Sequence, residues 1–176
     1  MKKFAATFVI ALMVALAGTY SYGVLSLTES GANRFLDDLE ALSLQGKGRE
    51  YCARLHPDLH VSVRDHSADP PADFDGGRDD FCAYVSYAAK GMGLLGISTR
   101  VARNDFTITR SWLHPWTAQV RYHEDRVTVM TKVGATVHTL SADSLTLVQT
   151  VGGIRLLALD SRVTLAPREP DAVRSN

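Results

Sequence analysis

The sequence predicts an α+β fold, with helices in the first half packed on an antiparallel sheet made by the second half and an apolar helical segment ahead of both. Three observations carry this reading. Apolar residues recur at helical spacing in three stretches between Ser26 and Gly96, around one short alternating stretch. From Thr99 onward the apolar period is two. The later punctuation, ending on Val151-Gly152-Gly153-Ile154, marks tight hairpins. Helices segregated from an antiparallel sheet define the class, and 176 residues leave room for one domain.

The first element is the apolar segment. Lys2-Lys3 precedes a stretch from Phe4 through Thr28 without a charge, and Phe4 to Val14 is broken only by Thr7. Ala15-Leu16-Ala17 has the small-x-small form that signal peptidase reads, which would cut before Gly18. A helix from Phe4 to Leu27 would instead cover roughly 36 Å, enough to span a bilayer core of about 30 Å. Residues 1–25 are thus expected to be a signal peptide or a membrane anchor, with Tyr20 and Tyr22 suited to the headgroup belt. Under either reading Lys2-Lys3 stays in the cytoplasm and the domain lies outside, in a bacterial envelope. Residues 26–166 form the domain, and the tail 167–176 is expected to fray.

Ser26-Leu27-Thr28-Glu29 has the form of a capping box. Ala32, Phe35, Leu36, Leu39 and Leu42 then make one helical face, ended by Gly46 and Gly48. A short second helix carries Tyr51, Cys52 and Leu55 and is expected to stop at His56-Pro57. Leu59, Val61 and Val63 alternate as a short strand, followed by a polar loop from Asp65 to Gly77. A third helix opens at Asp79-Asp80, whose carboxylates suit a helix N-terminus, with Phe81, Val85, Ala88, Ala89 and Met92 as its stripe. The sheet strands are then Val101–Arg110, Thr117–Val133 as one long strand or as two with a bulge near Glu124-Asp125, Val137–Val151 and Ile154–Leu165.

Cys52 and Cys82 are the two cysteines. In an oxidising compartment an isolated pair is most simply a disulfide, and the alternative is two buried thiols. Nineteen basic residues balance nineteen acidic ones, and loss of Lys2 and Lys3 would leave 17 against 19. With no basic excess, nucleic-acid binding is not expected. His56, His60 and His66 lie near Asp58, Asp65 and Asp69, but Pro57 breaks the helical spacing and no later ligand completes a site. Neither a metal nor a cofactor is expected.

Leu55-His56-Pro57-Asp58-Leu59-His60-Val61, Gly76-Gly77-Arg78-Asp79-Asp80-Phe81, and Ser144-Leu145-Thr146-Leu147-Val148-Gln149 followed by Gly152-Gly153-Ile154-Arg155-Leu156 occur in an order that resembles the NTF2-like superfamily, including its SnoaL-like branch. The resemblance covers residues 29 to 165. It implies a cone, in which a curved sheet wraps helices and leaves a pocket at the wide end. Members include ketosteroid isomerases, dehydratases and epoxide hydrolases as well as noncatalytic binding domains, so fold alone does not decide function. Where the isomerases have a catalytic Asp after the first strand, alignment on Asp58 places Val63, with Asp65 two residues on.

Within such a cone, Asp160 shares a strand face with Ile154, Leu156 and Ala158. There its carboxyl would be desolvated and suited to general-base work, unless it pairs with Arg162 or sits at an exposed strand end. Tyr84, Tyr87, Trp112, Trp116 and His123 are candidates to line the pocket, or else are ordinary aromatic packing. Trp112-Leu113-His114-Pro115-Trp116 lies between strands, where exposed aromatics would mark an interaction site. The last strand carries Leu156 and Ala158 on one face and Leu157, Leu159 and Val163 on the other, which predicts a homodimer through the sheet. Two functions fit. One is a noncatalytic envelope domain binding a small apolar ligand or a protein partner. The other is a cofactor-independent SnoaL-type lyase, isomerase or hydrolase with Asp160 or Asp65 as base and a Tyr or His as acid.

Overall fold

The computed structural model describes residues 13, 14, 18, 27–67 and 69–167. The segment expected as signal peptide or anchor and the C-terminal tail fall almost wholly outside them. Among the described residues no helix is long and apolar enough to cross a membrane.

Helix α1 spans Glu29–Leu44 and buries Ala32, Phe35, Leu36 and Leu39, the face set by their spacing. Its cap is Thr28, whose hydroxyl accepts from the Gly31 amide at 3.2 Å, rather than the Ser26–Glu29 box. Helix α2 is short, Gly48–Ala53. Strand β1 then runs Leu55–Asp65 with His56-Pro57 inside it. The helix has already ended at Ala53, so Leu55 belongs to the strand and not to the helix face expected from sequence, and the residue before proline avoids the helical region by adopting an extended one. The segment expected as a loop contains β2, Ala72–Gly77, an edge strand pairing Val63 with Phe74 and Asp65 with Ala72. Only an edge position lets so polar a stretch be a strand, because its outer side meets water. Helix α3, Arg78–Leu95, buries Phe81, Val85 and Ala89. It ends on Gly96, whose φ of +62 is a left-handed cap where an added Cβ would meet the Thr131 hydroxyl at 2.5 Å.

Strands β3 (Ile97–Ser111), β4 (His114–Met130), β5 (Ala135–Thr150) and β6 (Gly153–Leu165) form an antiparallel meander. The full sheet order is β2-β1-β6-β5-β4-β3. One pairing departs from the expected all-antiparallel sheet: β1 lies parallel to β6. The long stretch from α3 to β5 separates them in sequence, which is what a parallel neighbour requires.

Among the register shifts of the sheet, two bear on its inner wall. β4 is one long strand and not two broken near Glu124-Asp125; a shift lies instead in β3, where Asp105 and Phe106 oppose Tyr122. Asp105 has a positive φ of 53. The second lies in β6, where Leu147 faces Leu156 but Thr146 faces Ala158, leaving Leu157 as the extra residue. It reverses the alternation read from sequence. Leu156, Leu159, Ser161 and Val163 turn inward, and Asp160 turns outward and is exposed. Leu159 and Val163 therefore no longer belong to the outer face on which the homodimer was predicted.

Leu27, Leu55, Val61, Val120, Leu147 and Leu156 are the largest fully buried side chains, joined by the inner faces of α1 and α3. Cys52 and Cys82 form a disulfide that ties α2 to α3 with Cα atoms 5.6 Å apart. Such a bond is at home in an oxidising compartment.

Candidate functional site

The inner wall of the sheet is graded along the strands. Val61, Leu159, Leu145, Val120 and Ile108 stand in register across β1, β6, β5, β4 and β3 as an apolar row. Two residues further along, the row reads Val63, Ser161, Asp143, Tyr122, and two beyond that Asp65, Val163, Ser141, Glu124, Arg103. The step of two is the strand's own period, so each row presents the same face. Against this wall α1 sets Leu36, Leu39, Glu40 and Ser43, α2 sets Tyr51, and α3 sets Tyr84 and Met92. Between them is a cavity of about 520 Å³, apolar toward the core and polar at its rim.

Charge at the rim is paired. Arg126 donates from Nε and Nη2 to Glu124 Oε1 at 2.8 and 2.7 Å, and its Nη1 lies 3.3 Å from Glu40 Oε1. Arg103 reaches Glu40 at 3.5 Å and Glu124 at 3.4 Å, pairs with Asp37, and lies 5.9 Å over the Tyr122 ring. Thr99 donates to Glu40 at 2.7 Å. Burial works against the Arg103 charge, but the Asp37 hydrogen bond and the nearby negative groups more than offset it and raise its pKa. Two arginines are thus answered by two glutamates and Asp37, which leaves no surplus cation in the cluster for a multiply charged anion.

Asp143 differs from those carboxylates. It accepts from the Ser141 hydroxyl at 2.7 Å and is hydrogen-bonded by Ser161. Burial raises its pKa, the two serine hydroxyls oppose the rise, and Glu124 adds to it. Tyr122, its direct cross-strand neighbour, is held in the protonated form by burial and then by Asp143 and Glu124. Burial likewise pushes the Tyr51 hydroxyl up to about 12.

A carboxyl whose folded pKa is raised stabilises the fold below its unfolded pKa, and that contribution is lost as pH rises through the folded value. Asp143→Asn is therefore expected to gain stability relative to the wild type at neutral pH, with the difference shrinking toward acid. Urea midpoints of both proteins from pH 4 to 8 measure this; a gap constant with pH would count against a desolvated Asp143.

Of the residues singled out from sequence, Asp65 and Tyr84 line the cavity. Asp160 does not, because of the Leu157 bulge. Tyr87 is 82% exposed on α3. His123 points outward beside Asp105 at 3.3 Å. Trp112 and Trp116 are exposed at the β3–β4 turn, far along the sheet from the polar rows. Sequence reasoning missed Tyr122, Asp143, Glu124, Arg103, Arg126 and Glu40. The parity of β4 held the signal: Ala118, Val120, Tyr122, Glu124 and Arg126 are one alternating face, and the first three are apolar or aromatic. Among the described residues no three His, Cys, Asp or Glu side chains gather as a set of metal ligands.

The sequence matches no protein-family model and no curated protein. Solved structures do match in fold. An NTF2-like protein with a cystatin-like fold from Novosphingobium aromaticivorans aligns with a TM-score of 0.54 at 16% identity, over 90% of each chain. A protein of the same organism designated a scytalone dehydratase aligns with a TM-score of 0.56 at 18% identity, over 79% of this chain and 85% of its own. The β subunit of benzoate 1,2-dioxygenase from Burkholderia mallei gives 0.58 at 10% identity, over 78% and 89%. With helices cupped by a curved six-stranded sheet and these neighbours, the chain has the NTF2-like fold.

Proposed function

We propose that the domain binds a small, largely apolar molecule with a neutral polar head. The observation that carries this is the graded inner wall, apolar in the Val61–Leu159–Leu145–Val120 row and hydroxyl- or carboxyl-bearing in the rows above. The cavity of about 520 Å³ has the capacity for such a ligand, because small-molecule pockets run from about 300 to 1,000 Å³. A protonated Tyr122 offers a donor, and Asp143 with Ser141 and Ser161 offers further hydrogen-bonding partners. The arginines are neutralised by their glutamates, which disfavours a phosphate or sulfate head. Ser161→Phe, which fills the cavity at the Asp143 level, is expected to abolish uptake of an uncharged fluorescent apolar probe while leaving the circular dichroism unchanged. Undiminished uptake in that variant would remove the cavity as the site.

A second reading is the cofactor-independent lyase, isomerase or hydrolase. One observation favours it: Asp143, with its raised pKa, stands beside a protonated tyrosine, the arrangement a proton-transfer pair needs. The fold shared with a protein designated a scytalone dehydratase is compatible with it. Asp65 is the other cavity carboxylate. Turnover of any substrate found should fall about 10²–10⁴-fold in Asp143→Asn if this reading holds; unchanged turnover leaves binding alone.

The proposal also includes an envelope location, supported by the disulfide and the apolar lead sequence, and testable by the N-terminal mass of protein taken from envelope fractions. Pairing of two copies through the outer sheet face rests now on fewer residues, Leu157 among them, and a monomer mass in solution would dismiss it.

A further inference from the structure

We infer that the end of the sheet remote from the polar rim is a membrane-docking surface, where the β3–β4 and β5–β6 turns enter the headgroup region of an anionic bilayer. Strand register places the two turns together. Ser111 with His114 and Thr150 with Gly153 close the hairpins, and Thr117 opposite Val148 sets them side by side. From Thr117 to Glu124 at the rim is about 23 Å along the strand, so this surface is distinct from the cavity and does not depend on what the cavity binds.

The turns expose what a soluble surface has no use for. Trp112 is 79% exposed, Leu113 58%, Trp116 48% and Val151 fully. A scattered exposed leucine needs no explanation, but two indoles and two aliphatic side chains on adjacent turns make a patch. Tryptophan is the side chain that favours the boundary of lipid and water.

Charge and chain path identify the occupant as a bilayer. Close to the turns, from Ile108 to Val120 and from Leu145 to Ala158, there is no Asp or Glu, whereas Arg110 and Arg155 fall in these stretches. Basic side chains near an anionic lipid surface are attracted to it. Helix α1 runs antiparallel to β3, since Asp37 meets Arg103 and Glu40, one turn later, meets Thr99. Its first residues therefore point toward the Ser111 end of the sheet. The chain enters α1 through the buried Leu27, after the stretch from Phe4 to Thr28 that carries no charge. Leu27 and the start of α1 thus lie on the side of the aromatic turns, and a membrane held by the sequence ahead of Leu27 would meet them.

Trp112 and Trp116 are the two tryptophans of the chain, so its indole emission reports on this surface alone. The full chain is reconstituted into vesicles of phosphatidylcholine and phosphatidylglycerol, with part of the phosphatidylcholine brominated on its acyl chains near the headgroup. The expected result is loss of emission in proportion to brominated lipid, together with protection from aqueous acrylamide. Leu113→Glu combined with Val151→Glu should restore emission and acrylamide access, and both substitutions are at exposed positions that leave the core intact. Emission untouched by brominated lipid overturns the proposal. If it is also protected from acrylamide, the turns are covered by the lead segment or by a second copy, and the solution mass tells these apart. Equal quenching in vesicles of phosphatidylcholine alone overturns the anionic assignment.

Discussion

Glu124→Ala is expected to destabilise the domain by about 3 kcal/mol, the lower end of what removing one partner of a buried ion pair costs. The Glu124 side chain is 10% exposed and takes Arg126 through two donors while lying 3.4 Å from Arg103. Without it, Arg126 retains Glu40 at 3.3 Å, and Arg103 retains Asp37 and Glu40. The lower end of the range follows from those remaining contacts. At this size the loss corresponds to a fall of roughly 6–12 °C in melting temperature, taking about 2–4 °C per kcal/mol. Urea denaturation at constant slope measures it. A change below about 1 kcal/mol would mean that the cluster behaves as a solvated surface pair and not as a charge-balanced, partly buried rim. Replacing Glu124 and Arg126 together by Leu and Met should cost less than Glu124→Ala alone, because no charge is left without its partner.

The second large effect is expected from the disulfide. Cys52 and Cys82 are separated by 30 residues, and closing a loop of that length restricts the unfolded chain by about 3–4 kcal/mol on the chain-entropy account. The loop contains β1, β2 and the start of α3, so the restriction falls on the edge of the sheet and one wall of the cavity. Replacing both cysteines by serine should lower the unfolding free energy measured in urea by that amount, and a reducing agent should do the same to the wild type but nothing to the variant. A wild-type midpoint indifferent to reductant would remove the disulfide from the account of stability. It would also remove the best support for an oxidising compartment. The same measurement on Asp143→Asn separates the two kinds of contribution, because the disulfide effect should not vary with acid pH whereas the carboxyl effect should.

The division of the chain into a helical half and a sheet half was readable from residue order alone. Period is a local property: Phe35, Leu36 and Leu39 must share a helix face, and Val120 and Tyr122 a strand face, whatever they pack against. The cysteine pair was legible because an isolated pair has a single intramolecular partnership available. Which residues meet inside the cone followed from the folded arrangement of the strands. A bulge adds one residue without leaving a composition signal, and the one at Leu157 moved Asp160 out and Ser161 in. Parallel pairing of β1 with β6 brought Asp65 level with Val163, across a separation that no local pattern encodes. Asp143, Tyr122 and Ser161 became one site because register aligned three strands. Register is set by hydrogen bonds between distant segments, and no segment read alone contains it.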